Sequence, residues 1–486
     1  MKKKQRTSIL LRPDPSRVVI RPFELNNRER VAKIVGRIFS LSERSAHKQA
    51  CRLLEEFGDR HTNPRQLFLS RFEQVREFLL SDMKMSESRR ILIGGYFMQE
   101  YALEAAALFN PSIVPHPDQS NLPEGSLRFI LSLRATGEGH ISSITFRTGT
   151  VDSNGKISVD TPSTLVTSGT VEANPTYDLE LFRRKLCELG LDSPWTREVM
   201  ADLDAQFTWQ QLEDAVSHTL QRNRFISATE RENADALLAL ARANYEVSFD
   251  PANDISERVI FPYSPAESRG IEDARFVRFQ NVDGTITYHA TYTAFDGKVF
   301  LPQLLTSDDF CQFRIQTLNG PQVQNKGMAL FPRKVGGRYA MISRQDNKSI
   351  FLMYSDNLHF WYERTLILRP TYPWEFVQLG NCGSPIETPE GWLLLTHGVG
   401  FMRQYAIGAV LLDLDEPERV IGRHRHPLLT PEAHEREGYV PNVVYSCGGL
   451  IHNGRLILPY AMSDQCTSFT TFELDRLLKD LRRNGS

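Results

Sequence analysis

The stretch RFILSLRATGEG, residues 128–139, is apolar over most of its length, turns polar at Arg134 and runs out in a glycine-rich turn. A short apolar run bounded by turn residues reads as a strand. Four further stretches repeat the theme: TYHATYTAFDG (287–297), RYAMISRQD (338–346), WLLLTHGVG (392–400) and RLILPYAMSD (455–464). Tyr292 and Arg344 are 52 residues apart, and Arg344 and His397 are 53 apart. Strand units repeating every roughly 40–50 residues are the mark of a β-propeller, whose blades need their neighbours to bury both faces. The sequence therefore predicts a mainly β protein, a five-bladed β-propeller. In such a fold the innermost strand of each blade runs along the central axis, so equivalent strand ends converge on one pocket. Arg134, Arg344, His397 and Asp464 sit at such ends. Any one of them alone reads as a rim charge or a hydrogen-bonded histidine; four from different repeats read as a site.

Elsewhere the pattern is helical. From about Asn26 to Leu108, VAKIVGRIF, KQACRLLEEF, RQLFLSRFEQVREFLL and YALEAAALF place apolar residues three and four apart, with breaks at Asn63-Pro64 and at Ser86 to Ser88. A second helical block, about 177–245, carries LELFRRKLCELGL, WQQLEDAVSHTLQ and NADALLALARANY. The expected organisation is an N-terminal helical region (1–108), a propeller domain (109–475) interrupted by the helical insertion, and a C-terminal tail (476–486).

The composition of the 486 residues is ordinary for a globular chain, at 41% hydrophobic and 24% charged. With 57 Lys and Arg against 59 Asp and Glu, a formal charge of -2 offers no general attraction to a polyanion, so no nucleic-acid partner is implied. The apolar core of the opening MKKKQRTSILLRPDPSR is too short for a signal peptide. The stretch ILIGGYFMQEYALEAAALF (91–109) carries Gln99, Glu100 and Glu104 and reads as a buried helix instead of a membrane span. Six dispersed cysteines without a CxxC pair read as reduced core thiols. A cytoplasmic protein with no membrane contact is expected.

The stretch ESRGIEDARFVRF (267–279) puts two adjacent acids before an alternating strand. Gly270 allows a close backbone turn. Neighbours on an extended chain point opposite ways, so one acid enters the pocket while the other is held outside it, and Asp273 and Arg275 share a face. A partly desolvated carboxyl can keep its proton near neutral pH and serve as a general acid.

GIEDAR (270–275), NKGMALFPRK (325–334), SDNLHFW (355–361), GSPIETPEGWLLLTHGV (383–399) and YVPNVVYSCGG (439–449) together resemble the ordered motif series of glycoside hydrolase family 130. The resemblance spans about Phe109 to Ser468, apart from the helical insertion. It implies a five-bladed propeller that cleaves β-mannosides by phosphorolysis, with inversion and release of α-mannose 1-phosphate. Asp273 matches the family's catalytic aspartate, which protonates the glycosidic oxygen in a relay through the mannosyl 3-hydroxyl. Lys326, Arg344 and His397 match phosphate-binding positions, with Tyr405 a fourth candidate. Arg134 and Asp464 match positions that contact mannosyl hydroxyls; Glu272 and Arg275 belong to the catalytic motif and are assigned to substrate binding with them. The implied partners are a β-mannoside and inorganic phosphate as co-substrate, with no metal or organic cofactor.

The sequence departs from the family at Ala274, where Pro is frequent, and in the glycine-rich stretch after Arg134, which adds Glu138 and His140. The helical additions could close the groove, line it or form the contact of a homo-oligomer. An alternative on the same fold is an inverting β-mannosidase using Glu138, Glu375 or Glu387 as base, and a third is a non-catalytic carbohydrate- or protein-binding propeller. Tyr292, Phe295, Trp374 and Tyr445 are candidates for stacking on sugar rings.

Overall fold

A computed structural model describes residues 5–25, 27–76, 84–173, 176–222 and 227–483. The described chain is mainly β, with five antiparallel sheets of four to six strands. The first sheet is built on Ala107–Pro115, Leu127–Thr136 and Ser142–Val151, and the second on Ile271–Gln280, Ile286–Phe295, Phe300–Ser307 and Gln312–Thr317. The third runs Ala329–Leu330, Tyr339–Ser343, Ile350–Ser355, Thr365–Leu368; the fourth runs Gln378–Asn381, Gly391–Val399, Tyr405–Leu412, Val420–Arg423. The fifth consists of Val444–Tyr445, Arg455–Met462 and Cys466–Glu473, closed by Gln5–Leu11 from the other end of the chain. Each of the five stretches that repeat in the sequence is the second strand of one of these sheets.

The sheets touch in a ring. Ala107–Pro115 of the first meets Ile271–Gln280 of the second, Ile286–Phe295 meets Ala329–Leu330 of the third, and Tyr339–Ser343 meets Gln378–Asn381 of the fourth. Tyr405–Leu412 then meets Val444–Tyr445 of the fifth, whose Arg455–Met462 returns to Ala107–Pro115. The core is divided accordingly into apolar wedges between neighbours. Ile130 and Phe146 pack on Phe276 and Phe313 between the first and second sheets, and Trp392 and Leu394 pack with Ile342 and Leu352 between the third and fourth. No sheet buries both faces without its neighbours, which is why both faces of the central strands are apolar.

A short device recurs before the opening strands of the second, fourth and fifth sheets. Glu267, Glu375 and Glu435 are buried carboxylates, each accepting the backbone N–H of the residue three before it, at 3.0, 3.1 and 2.8 Å from Ser264, Tyr372 and Glu432. Each is also closed by buried or half-buried donors: Tyr245 and Tyr292 on Glu267, Arg423 on Glu375, Arg6 and Tyr460 on Glu435. These turns fix the direction in which the chain enters each strand.

The four helices of the insertion, Leu179–Glu188, Pro194–Ala201, Trp209–Arg222 and Ala228–Arg242, pack around a core of their own. They hang between two strands, Thr170–Ala173 and Tyr245–Ser248, that pair with each other at the outer edge of the second sheet. Near the N-terminus the helices Arg28–Phe39, Glu43–Gly58, Pro64–Val75 and Glu87–Tyr96 follow the sequence pattern, with N-caps at Asn63 and Ser86. Residues 77–80 of the third helical stretch and 484–486 of the tail lie outside the described residues.

Three segments differ from expectation. Residues 91–109 are helical only as far as Tyr96; Met98–Ala102 and Ala107–Pro115 are strands, paired with Val18–Pro22 and Leu127–Thr136. Ala, Leu and Glu favour a helix there, but Glu104 is fully buried between Arg17 at 3.0 Å and Arg147 at 2.7 Å, and that tertiary clasp overrides local propensity. Residues 5–11 are a strand because Cys466–Glu473 offers a free edge. Leu474–Arg483 is a helix, burying Leu474, Leu477, Leu478 and Leu481 on one face. No helix among the described residues is long and apolar enough to cross a membrane.

Candidate active site

The hairpins that join the second and third strands of the five sheets all stand at the end where the opening strands begin. There a cavity of about 310 Å³ opens. The opening strands and the segments that lead into them supply Phe109, Asn110, Asp273, Gln378 and Tyr445; the ends of the second strands supply Arg134, Arg344 and His397; the hairpins supply Asn347, Arg403 and Asp464, with Lys326 and Tyr405 completing the wall. The convergence expected from the repeats is therefore present, but Arg134, Arg344, His397 and Asp464 belong to second strands and their hairpins, one strand out from the opening strand of each sheet.

Asp273 reaches the cavity through a break in register. Its strand pairs regularly with Ile286–Phe295 except between Glu272 and Arg275, where Asp273 takes a left-handed φ of 53°. Such a bulge re-aims a side chain, and Asp tolerates the left-handed region better than most residues. Gly270, at φ 114°, brings the strand onto Ser142, where a Cβ would lie 2.5 Å from Oγ. The bulge also overturns the simple alternation: Glu272 and Asp273 both turn toward Arg134, whose Nη2 and Nη1 lie 3.2 and 3.4 Å from them. Asn110 Nδ2 donates to Asp273 Oδ1 at 2.5 Å.

Burial alone would push the Asp273 carboxyl up, but the charges of Arg134, Arg275 and Lys326 and the Asn110 hydrogen bond outweigh it and hold it down at about 2. The free protein thus carries an ionised Asp273 at neutral pH, although a partly desolvated acid can keep its proton there when no cations face it. Asp464 is the opposite case. Burial and the neighbouring Asp273 charge raise it to about 6, against Arg134 and Arg403, which pull it down.

Glu272 and Arg275 lie behind the wall. Glu272 bridges Arg134 and Lys326 Nζ, the latter at 3.2 Å. Arg275 is buried, donating to the Tyr445 hydroxyl at 2.7 Å and to the Asp273 carbonyl at 2.9 Å. Both hold the lining in place without themselves lining it.

Across the cavity Arg344 is 4% exposed, yet no carboxylate among the described residues lies within ion-pair distance of it. Its Nη1 donates to His397 Nε2 at 3.0 Å, while His397 Nδ1 faces the Asn381 carbonyl at 3.3 Å. That pairing puts the imidazole proton on Nδ1. Burial first, then the Arg344 and Arg275 charges, hold His397 well below its ordinary pKa, so the ring is neutral. With its amide turned so that the oxygen faces the guanidinium, Gln378 accepts from both Arg344 Nη groups, and Arg344 Nε has no partner. Gly380 makes the arrangement possible: a Cβ there would stand 2.4 Å from His397 Cε1 and 2.9 Å from Arg344 Nη1. A buried guanidinium satisfied only by neutral groups is a seat for an anion, and its fork suits phosphate oxygens.

Other candidates fall elsewhere. Of the stacking residues only Tyr445 lines the cavity; Tyr292 is buried on Glu267, Phe295 stacks on Phe300 at 4.8 Å, and Trp374 packs under Gly398 and Gly408. Glu375 is sealed with Arg423, Glu387 pairs with Arg333, and Glu138 sits in the 138–140 turn. Asn110, Gln378, Gly380 and Arg403 carry no sequence signal that singled them out; Asn110, followed by Pro111, is a left-handed asparagine inside a strand, a sign of a bulge visible only once the strand is known. Among the described residues no group of three or more His, Cys, Asp and Glu side chains is placed to hold a metal ion.

Residues 231–483 match a family model described as beta-1,4-mannooligosaccharide phosphorylase. A 1,2-beta-oligomannan phosphorylase of Thermoanaerobacter sp. (strain X514) is 35% identical over 244 residues, 48% of this chain and 79% of the relative. A beta-1,2-mannobiose phosphorylase of the same organism is 30% identical over 264 residues, 52% of this chain and 84% of the relative. The solved beta-1,2-mannobiose phosphorylase of Listeria innocua aligns with a TM-score of 0.47 at 21% identity, covering 78% of this chain and 92% of that one.

Proposed function

Because the chain belongs to glycoside hydrolase family 130, we propose that it is an inverting phosphorylase of β-mannosides, built as a five-bladed propeller whose blades are the five sheets of the ring. The observation that carries this reading is Arg344, a buried cation without a carboxylate partner, facing a cavity that also holds an acid, Asp273. Inorganic phosphate seated by Arg344, Lys326 and Tyr405, with neutral His397 orienting Arg344, attacks the anomeric carbon of a mannosyl unit held by Arg134 and Asp464. The glycosidic bond breaks on the opposite face and α-mannose 1-phosphate leaves.

The leaving oxygen needs a proton, and Asp273 supplies it through the mannosyl 3-hydroxyl. In the free protein three cations keep Asp273 ionised. A phosphate dianion arriving beside Lys326 and Arg344 offsets part of that field and raises the proton affinity of Asp273. Phosphate therefore acts as nucleophile and also prepares the acid. No second carboxylate base is needed, because phosphate is already an anion; the bases a hydrolase would need, Glu138, Glu375 and Glu387, are not among the cavity's lining residues. Asp464, raised toward neutral pH, can donate to a sugar hydroxyl as well as accept from one. The unpaired thiols of Cys382 and Cys447 fit a reducing, cytoplasmic setting.

The test is the reverse reaction, with purified protein, α-mannose 1-phosphate and a panel of acceptor sugars. Acceptor-dependent phosphate release that disappears in Asp273→Asn is expected. No release with any acceptor, together with cleavage of β-mannosides in phosphate-free buffer, would replace the phosphorylase with a hydrolase.

A further inference from the structure

The strand that opens the fourth sheet, Gln378–Asn381, meets the Arg344–His397 pair at three points. Residues two apart on a strand share a face, and Gln378 and Gly380 both turn to Arg344. Gly380 leaves the room, since a Cβ there would stand 2.9 Å from Arg344 Nη1. Asn381 fixes His397, whose Nδ1 lies 3.3 Å from the Asn381 carbonyl. Gln378 supplies the acceptor: its amide oxygen, turned to the guanidinium, takes both Nη groups, Nη2 at 3.3 Å. The backbones are tied as well. Leu379 N donates to Lys348 O at 3.2 Å, and Asn347 N, in the same hairpin as Lys348, donates to Arg344 O at 3.2 Å.

What sets Gln378 apart is that it is neutral. Two other cations of the cavity wall meet carboxylates: Arg134 meets Glu272 and Asp273 at 3.2 and 3.4 Å, and Lys326 meets Glu272 at 3.2 Å. Arg17 and Arg147, as deeply buried as Arg344, are closed by Glu104. Glutamate has the shape of glutamine, and at 378 it would reach the same two Nη groups as a forked ion pair. Burial, the largest cause, already draws the Arg344 pKa below its usual value, and a carboxylate would relieve that cost. The neutral amide aims the fork and leaves its charge uncancelled.

We propose that Gln378 is the specificity-determining residue of the anion seat: it aims Arg344 with a neutral acceptor and so keeps the full positive charge for a phosphate dianion. This rests on the phosphorylase reading for the identity of the anion. A carboxylate at 378 would cancel the charge of the fork and repel the incoming dianion at short range, where the cavity screens poorly. A side chain of similar size without an acceptor would keep the charge and lose only the aim.

The experiment titrates inorganic phosphate by calorimetry into the wild type, Gln378→Glu and Gln378→Met at pH 7, and records the melting temperature of each without phosphate. Phosphate affinity is expected to fall about threefold to tenfold in Gln378→Met and at least about 100-fold in Gln378→Glu. Gln378→Glu is expected to melt higher than the wild type, which separates lost binding from a lost fold, and Gln378→Met lower. In phosphorolysis the KM for phosphate rises in Gln378→Glu while the KM for the β-mannoside stays constant. Phosphate affinity in Gln378→Glu within about tenfold of the wild type, or a loss in Gln378→Met as large as in Gln378→Glu, overturns the proposal. A wild type that binds no phosphate overturns it together with the seat. The phosphorylase reading fails separately, through a protein that binds phosphate yet releases none from α-mannose 1-phosphate with any acceptor.

Discussion

Two buried charge clusters in this molecule are built in opposite ways. In the first, Glu104 is clasped by Arg17 and Arg147, and Arg17 is further closed by the carbonyls of Ser163 and Ser256. Both arginines here have the Glu104 carboxylate within ion-pair distance, and all three side chains are buried. In the second, around Asp273, four cations (Arg134, Arg275, Lys326 and Arg344) face Asp273, Glu272 and Asp464, and Arg344 alone of the four has no carboxylate among the described residues within ion-pair distance. A closed cluster serves the fold, and its removal costs stability. An open one is kept for a ligand, and its removal costs chemistry.

The largest departure between the two should come from Asp273→Asn. It is expected to lower turnover by about 10²–10⁴-fold, the range for loss of a general acid, with a fall in melting temperature smaller than that of Glu104→Gln, because Glu272 and Asp464 still face the cations. Steady-state phosphorolysis and calorimetry on the same sample check it, and a drop in melting temperature as large as that of Glu104→Gln would place Asp273 with the closed cluster. Glu104→Gln is the converse. It leaves two arginines buried without their anion and should cost about 3–5 kcal/mol in denaturant unfolding, with kcat/KM of the folded fraction unchanged.

Gly380→Ala probes the contact on which the open cluster depends. The added methyl would displace the His397–Arg344 pair, and we expect the KM for phosphate to rise about tenfold while that for the sugar stays constant. Parallel changes in both would mean that the two sites share one geometry. The smallest effect is a pH dependence. The carboxyl of Asp464 rises from 3.8 to about 6 on folding, so its contribution to stability is present below 3.8 and is lost as pH rises through 6. Asp464→Asn should flatten the stability profile across that window. Asp273, depressed from 3.8 to about 2, contributes in the other sense: its stabilisation is present above 3.8 and is lost as pH falls through 2.

Much of this arrangement could be read from the sequence. The five repeated stretches are the five second strands, because a strand buried on both faces needs an unbroken apolar run and its polar end marks where it leaves the core. The charged ends Arg134, Arg344, His397 and Asp464 followed from the same pattern. What could not be read depends on contacts between distant segments. YALEAAALF has a helix former's composition and is largely strand and turn, because Arg17 and Arg147 hold Glu104. The shared orientation of Glu272 and Asp273 comes from a bulge set against Thr291 and Thr293 of the next strand. The glutamates at 267, 375 and 435 form a second repeat with no periodic apolar signal, and Arg403 sits in a turn whose role depends on which sheet stands beside it.

The central claim is that Arg344 is kept unpaired for phosphate, and its most direct test is a titration of inorganic phosphate into the wild type and Arg344→Met, followed by calorimetry and by thermal melting. One phosphate bound per wild-type chain with a raised melting temperature is expected. In Arg344→Met binding should be lost, and the unliganded melting temperature should rise, because a desolvated charge has been removed. Phosphate binding that survives the substitution, or a wild type that binds none, would contradict the claim.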